Sequence, residues 1–110
     1  MATSAAIINI LYPASAASNF DMDYYLSHHM PLVMKYWKPY GMRGWTVVEL
    51  DKYSGYYVQA IVDFESLEGF DKAMSAECNG EVMDDIKKFT NESPVRWIGM
   101  VHGISSRNTA

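Results

Sequence analysis

The sequence is short of cysteine and of basic residues. Cys78 is the only cysteine among the 110 residues, so an intrachain disulfide cannot form and a CxxC zinc or redox site is excluded. This favours a reducing compartment, and we expect the protein to be cytoplasmic. Nine Lys and Arg residues against 13 Asp and Glu give a net charge of -4, and the longest basic run is the pair Lys87-Lys88. Nucleic acid is therefore not an expected partner.

Long apolar runs and the motifs of nucleotide-dependent enzymes are also missing. No apolar stretch approaches the ~20 residues that span a bilayer, so we expect no membrane contact. The patterns GxxxxGK[ST], GxGxxG and GxSxG do not occur, and neither does HExxH or another metal-ligand spacing. The sequence therefore predicts no metal and no cofactor, and any catalysis has to use side chains alone.

Aromatic and thioether side chains are abundant instead. Aromatic residues make up 14% of the chain, with eight Tyr and three Trp, and there are eight Met. This is more ring and sulfur surface than a small core needs, and it suits a pocket or an interface. The remaining composition is that of an average globular domain. We predict a single domain over residues 1–110, with its core at about 5–104.

The first half of the chain reads as a strand followed by a helix. Residues 5–12 are apolar except for Asn9, and Pro13 ends this predicted strand. The helix begins after Asp21, which is suited to cap it, with Phe20 packing onto Tyr25. Because Pro31 lacks an amide hydrogen, we expect a kink or restart before Leu32 and an end near residues 40–41.

The second half predicts a hairpin, two helical segments and a last strand. The strands are 45–50, 56–64 and 95–101, and the helical segments are 66–77, capped by Ser66, and 81–89, after an interruption at Asn79-Gly80. The order β-α-β-β-α-β predicts an α+β domain of the ferredoxin-like type, a four-stranded antiparallel sheet with both helices on one face.

The other face of that sheet lacks a cover. Alternation along strand three places Tyr56, Val58, Ala60, Val62 and Phe64 toward the helices. The opposite set still carries Tyr57 and Ile61, and a small monomer exposing such a face would carry a large apolar patch. We therefore predict a homodimer that pairs through its sheet faces.

His29 and Tyr25 are the candidate catalytic residues, because a spacing of four places both on one side of the helix. Such a pair could bind a phenol or carbonyl and move a proton near neutral pH. The alternative is a half-buried His29 hydrogen-bonded to backbone, with Tyr25 as an ordinary core ring.

Asn9 either lines a pocket or makes a structural hydrogen bond. The polar residues within 84–91 fit mostly a helix-capping role, and some of them could form the rim of a pocket. Phe89 belongs either to the core or to the wall of the pocket.

Four segments resemble the EthD-like family of the dimeric α+β barrel superfamily. They are the Tyr12-Pro13 strand end, FDMDYYLSHHMPLV at 20–33, DFES at 63–66 and DIKKFTNESP at 85–94. The resemblance implies a homodimer and, in each subunit, a pocket between helices and sheet that binds a hydrophobic small molecule. It also assigns the functional histidine to His29. The predicted substrate-binding residues are Asn9, Tyr24, Trp37, Phe64 and Phe89.

We consider three functions. The first is a cofactor-independent enzyme of the lyase, dehydratase, decarboxylase or cyclase type, acting on an aromatic or polyketide-like molecule with His29 as acid and base. The resemblance implies this chemistry, since related proteins are implicated in polyketide pathways. The second is a cofactor-free monooxygenase. The third is a non-catalytic binding or accessory protein of a degradation pathway.

Overall fold

The computed structural model describes residues 5–105 and forms one layer of helices on a four-stranded sheet. The strands are β1 (Ala6–Pro13), β2 (Met42–Glu49), β3 (Tyr56–Phe64) and β4 (Val95–Met100), and the helices are α1 (Met22–Tyr24), α2 (Met30–Trp37), α3 (Leu67–Ser75) and α4 (Asn79–Asp85). The spatial order is β2-β3-β1-β4, and all neighbouring strands are antiparallel. The predicted ferredoxin-like α+β fold is confirmed. Between residues 5 and 105, no helix is both long enough and apolar enough to cross a bilayer.

The core lies between the sheet and the helices. Side chains of β3 alternate as predicted from Val58 onward, with Val58, Ala60, Val62 and Phe64 fully buried and the residues between them partly exposed. At the start of the strand, where the register with β1 shifts, Tyr56 is only partly buried and Tyr57 packs against Phe20, so the prediction does not hold for these two residues. Strand β1 pairs with both β3 and β4, so it lies in the interior of the sheet. Its buried residues Ala6, Ile8 and Tyr12 face the helices, whereas Ile7 and Leu11 are apolar residues on the open face, which explains its weak alternation.

The first helix is interrupted before Leu32, as predicted, but the chain stays helical through Pro31. The side chain of Asp21 accepts a hydrogen bond from the amide of Tyr24 and caps α1 as predicted. A π-helical turn at Tyr25–His29 then joins α1 to α2, and the amide of Met30 bonds the carbonyl of Tyr25. Such a wide turn accommodates the backbone ahead of a proline, which cannot donate and crowds the preceding turn. The irregularity therefore precedes Pro31.

Two element boundaries also differ from the prediction. Helix α4 begins at Asn79, so Asn79-Gly80 starts a helix in place of the expected interruption. The reason is tertiary: the Asn79 side chain is buried and accepts a hydrogen bond from the Trp37 indole at 2.9 Å. Strand β2 begins at Met42, before the expected residue 45, because Met42 is buried and pairs with Phe64.

A short segment after α4 ties the second helical region to the start of the first. The amide of Asp21 donates to the carbonyl of Phe89 at 2.8 Å, and the Thr90 hydroxyl donates to Asn19 at 2.9 Å. These bonds hold the carboxyl end of α4 beside the π-helical turn. Asp85 and His29 are thereby brought together from positions 56 residues apart.

Close packing at Gly69 gives a test of this helix layer. A Cβ atom at Gly69 would lie 2.1 Å from the carbonyl oxygen of Tyr40, which is backbone and has little room to move. We expect Gly69→Ala to lower the free energy of unfolding by about 1–3 kcal/mol, as overpacking does. The measurement is urea denaturation followed by circular dichroism.

Gly80→Ala is the matched control, since Gly80 lies in α4 with open space where the added methyl group would point. We expect it to be neutral or stabilising by up to ~1 kcal/mol, the difference in helix propensity. Equal midpoints for Gly69→Ala and the wild type would contradict the close approach of Gly69 to Tyr40.

Candidate functional site

The site is built around the π-helical turn. Tyr25 and His29 stand at its two ends, both buried, and their rings stack with centroids 5.5 Å apart. Phe89 closes against both of them, 4.5 Å from the His29 ring and 4.8 Å from the Tyr25 ring. The histidine is therefore held in one orientation by aromatic packing.

His29 is hydrogen-bonded to a carboxylate. Its Nδ1 lies 2.9 Å from Oδ2 of Asp85, and the two residues are only 5% and 4% exposed. The other oxygen of Asp85, Oδ1, accepts a hydrogen bond from the Tyr24 hydroxyl at 2.6 Å. The ammonium of Lys88 is 3.7 Å from the same oxygen, and Nε2 of His28 is 4.0 Å from it. The alternative in which His29 bonds to backbone is therefore wrong.

The protonation states of this pair follow from burial and hydrogen bonding. Burial lowers the pKa of His29 below its ordinary 6.5, although the Asp85 carboxylate acts in the opposite direction. Burial opposes ionisation of Asp85, but the hydrogen bonds from Tyr24 and His29 outweigh it and lower the pKa of Asp85. At neutral pH a neutral imidazole thus donates from Nδ1 to an ionised Asp85. The lone pair of the ring is then on Nε2.

An apolar cavity of about 390 Å³ opens beside His29, between the helix layer and the sheet. This volume is in the range of small-molecule sites. The walls come from β1, the first helix, the segment around α4 and the start of β4. The lining residues are Ile10, Tyr12, Tyr25, His29, Met30, Val33, Trp37, Val82, Met83, Ile86, Pro94 and Arg96.

Three polar atoms face this cavity without a protein partner. Within residues 5–105, no hydrogen bond is made by Nε2 of His29 or by the hydroxyls of Tyr12 and Tyr25. None of these atoms is sealed from solvent either, although each residue is at least 95% buried. All three residues line the cavity. Burial raises the pKa of both tyrosines, so each hydroxyl is a hydrogen-bond donor at neutral pH.

The predicted site residues fall into three groups. Tyr25, His29 and Trp37 line the cavity. Phe89 and Phe64 are buried behind its wall, Phe89 against His29 and Phe64 against Trp37 at 6.0 Å between ring centroids.

Tyr24 and Asn9 lie elsewhere. Tyr24 is outside the cavity and contacts Asp85. Asn9 lies on the opposite face of the sheet and accepts a hydrogen bond from Gln59 at 2.8 Å. The expectation that Asn9 lines this pocket is corrected, since strand alternation turns its side chain away.

Sequence reasoning misses three residues of the site. It explains Asp85 mainly by capping, although Asp85 shares a stripe with Val82, Ile86 and Phe89 at helical spacing. An acidic residue on the buried side of a helix requires a hydrogen-bonding or charged partner. The position of Asp85 among apolar residues is therefore the sequence signal that could have identified it as a site residue. Tyr12 and Arg96 follow from strand alternation, because each faces the helices from β1 or β4.

No metal site is formed by this arrangement. Among the residues that the structure describes, no three His, Cys, Asp or Glu side chains are placed to share an ion.

Fold and cavity together define a ferredoxin-like α+β domain with an apolar cavity between its helices and its sheet. No family model and no curated protein sequence matches the chain. A crystal structure of an EthD-like protein from Ralstonia eutropha JMP134 does match, with a TM-score of 0.74 and 25% sequence identity over 88% of this chain and 91% of that one. The resemblance to the EthD-like family is thereby confirmed.

Two solved structures with described activities share the fold. Hydroxynitrile lyase from Passiflora edulis matches with a TM-score of 0.64, over 96% of this chain and 100% of that one. SnoaB from Streptomyces nogalater, a cofactor-independent oxygenase, matches with a TM-score of 0.60, over 96% and 98%. Each is 10% identical to this chain, which shows a common fold and nothing about the reaction.

The lowered pKa of His29 predicts how stability depends on pH. Below about 6.5 the unfolded chain binds a proton at His29 that the folded chain does not, so the free energy of unfolding falls on acidification. Asp85 adds a further loss of stability as the pH falls below 3.8, the ordinary pKa of an aspartate.

We expect His29→Asn, whose amide can replace the Nδ1 donor without titrating, to make the melting temperature less dependent on pH between about pH 6.5 and 5. His28→Asn at the exposed neighbour is the control and should retain the wild-type slope. A steeper slope in His29→Asn would contradict the assignment.

Proposed function

We propose that the protein is a cofactor-independent acid–base enzyme of the lyase or cyclase type, acting on an aromatic or polyketide-like molecule bound in the cavity. One observation carries this proposal. The buried imidazole of His29 has Nδ1 on a carboxylate and Nε2 free of protein partners within residues 5–105, beside an apolar space large enough for a ring-bearing ligand.

His29 is the proposed base. Nε2 takes a proton from an acidic carbon or hydroxyl of the substrate, and the electron pair left behind moves onto a carbonyl or phenol oxygen. That oxygen accepts hydrogen bonds from the hydroxyls of Tyr12 and Tyr25. In the second half of the reaction, the imidazolium returns the proton to the product or to a leaving group.

Asp85 is the proposed positioning residue. It holds the Nδ1 hydrogen of His29, so the basic atom is always Nε2, and its charge stabilises the imidazolium formed on proton abstraction. Tyr24 in turn donates to Asp85, and this bond favours the ionised carboxylate. The site therefore has its counter-charge in place before the proton moves.

Solved structures with this fold include small enzymes, which is compatible with an enzymatic function. A lyase and a cofactor-independent oxygenase with this fold are both small enzymes that occupy almost the same length as this chain. We favour proton transfer over oxygenation because the cavity presents a base and two hydroxyl donors, which is the equipment for stabilising an enolate or phenolate.

The proposal is tested with 5-nitrobenzisoxazole, an apolar bicyclic probe that requires only a base. Removal of its ring C–H proton forms the nitrile as the N–O bond breaks, and the phenolate product is coloured. We expect the wild type to accelerate this ring opening and His29→Asn to lose ~10²- to 10⁴-fold of the rate, the usual contribution of a positioned base. The wild-type rate should rise with pH as His29 loses its proton and then level off, with a midpoint below the ordinary histidine pKa of 6.5, because burial lowers the pKa of His29.

His28→Asn serves as the control and should keep the wild-type rate. Equal rates for His29→Asn and the wild type would overturn the role of His29. If ring-bearing ligands bind but no proton is transferred, the chain is a binding or accessory protein. Oxygen consumption with enolisable or phenolic ligands would indicate the monooxygenase function.

We further propose that the chain forms a homodimer through the open face of its sheet. This face carries partly exposed apolar side chains from all four strands, among them Ile7, Val48 and Ile61, and Trp97 is 62% exposed at its β4 side. A second copy related by a two-fold axis would cover both faces at once.

A charge in the centre of that face tests the dimer. We expect Ile61→Lys to shift the mass measured by light scattering from two chains to one, because the lysine charge would be desolvated in the interface. Leu26→Lys is the matched control, since Leu26 is 40% exposed on the helix side, and it should stay dimeric. A monomeric wild type would contradict the proposal.

A further inference from the structure

Arg96 is the one permanently charged side chain in the cavity lining. It lies on β4, opposite Ile10, on the face of the sheet that carries the helices. Its Nη1 is 3.3 Å from the sulfur of Met74, and its guanidinium carbon is 5.4 Å from the centre of the Phe70 ring. The Arg96 side chain is exposed, and these contacts place its guanidinium against α3, but neither a thioether nor an aromatic ring neutralises its charge.

The charge of Arg96 is not balanced by an acid. Over residues 5–105, no carboxylate lies within 4.0 Å of Arg96, whereas Arg43 is paired with Asp63 at 2.9 Å. None of the cavity-lining residues is acidic. Asp85 lies behind His29 and is already bonded to His29 and Tyr24. A bound molecule therefore meets a cation, three neutral polar groups and apolar walls.

We propose that Arg96 binds a carboxylate of the substrate, so that the cavity takes a ring-bearing carboxylic acid. This inference rests on the proposed function, because it concerns the substrate of the same cavity. A guanidinium presents parallel N–H donors that match the two oxygens of a carboxylate, which a lysine ammonium cannot do. The apolar walls take the ring system, and the carboxylate orients it with respect to His29.

The carboxylate also explains the composition of the cavity lining. A neutral apolar ligand would make no charge-assisted hydrogen bond with Arg96, and the guanidinium would stay hydrated. Arg96 is exposed at the cavity, and an acid of the same shape gains charge-assisted, paired hydrogen bonds from its guanidinium. We therefore expect discrimination between an acid and its neutral isostere of about 10- to 100-fold in Kd.

The test compares 2-naphthoate with 2-naphthamide, two probes of the same shape that differ in charge. Binding is measured by isothermal titration calorimetry on the full chain at low ionic strength and about pH 8, where His29 is neutral. We expect the wild type to bind 2-naphthoate about 10- to 100-fold more tightly. Arg96→Met keeps an unbranched chain against Met74 and Phe70 but removes the charge, and it should bind both probes equally. Arg96→Lys should retain part of the preference.

Lys88→Met is the control for general surface charge, because Lys88 lies outside the cavity lining, and it should keep the wild-type preference. The proposal is overturned if the wild type binds both probes equally, if it binds neither, or if Arg96→Met keeps the preference. Circular dichroism and thermal unfolding establish that each variant is folded. If Arg96→Met does not fold, the change in preference for 2-naphthoate is measured on Arg96→Lys.

A further variant separates this inference from the proposed function. His29→Asn should keep the preference for 2-naphthoate even though it loses proton transfer. If the preference disappears in His29→Asn, the carboxylate is bound at the histidine and Arg96 is not its site. If the preference depends on Arg96 but no variant alters proton transfer, the carboxylate site stands and the enzymatic proposal fails.

Discussion

The buried hydrogen bond between His29 and Asp85 is the contact on which the rest of the site depends. It joins the π-helical turn to the end of α4, across 56 residues of sequence. A buried carboxylate without a partner would cost several kcal/mol, so the two segments stabilise the protein only when they are correctly docked. The same bond sets the tautomer of His29 and directs its basic nitrogen away from Asp85. Folding and site chemistry thus share one interaction.

Aromatic packing supports this pair from the other side. Tyr12, Phe20, Tyr25 and Phe89 form a cluster in which most ring pairs meet edge to face, with centroids 4.8–6.0 Å apart. Such geometry restricts each ring more than aliphatic packing would. The two tyrosines of this cluster, Tyr12 and Tyr25, also line the cavity, and their hydroxyls bond to no other side chain or backbone group of residues 5–105. Rigid walls with a few oriented donors are what a site needs in order to favour a charged transition state over its neutral substrate.

Much of the fold could be predicted because its signals are local. Asp21 and Ser66 cap helices through side-chain bonds to amides three residues ahead, and β3 alternates in burial as its sequence alternates. The errors lie where a distant contact overrides the local preference. Asn79 begins a helix because the indole of Trp37 bonds to its side chain, and β2 begins early because Met42 is buried and pairs with Phe64.

The sequence by itself determined the α+β class, the strand order along the chain, the inward face of β3 and the pairing of Tyr25 with His29 on one side of a helix. Those features depend on neighbours within a few residues, where periodicity and capping act. Only the tertiary structure decided that Asp85 is the partner of His29, that the Asn9 side chain bonds to Gln59 and that a cavity with Arg96 in its lining lies beside His29. Each of these depends on strand register and helix docking between segments far apart in sequence, and such contacts leave little trace in local patterns.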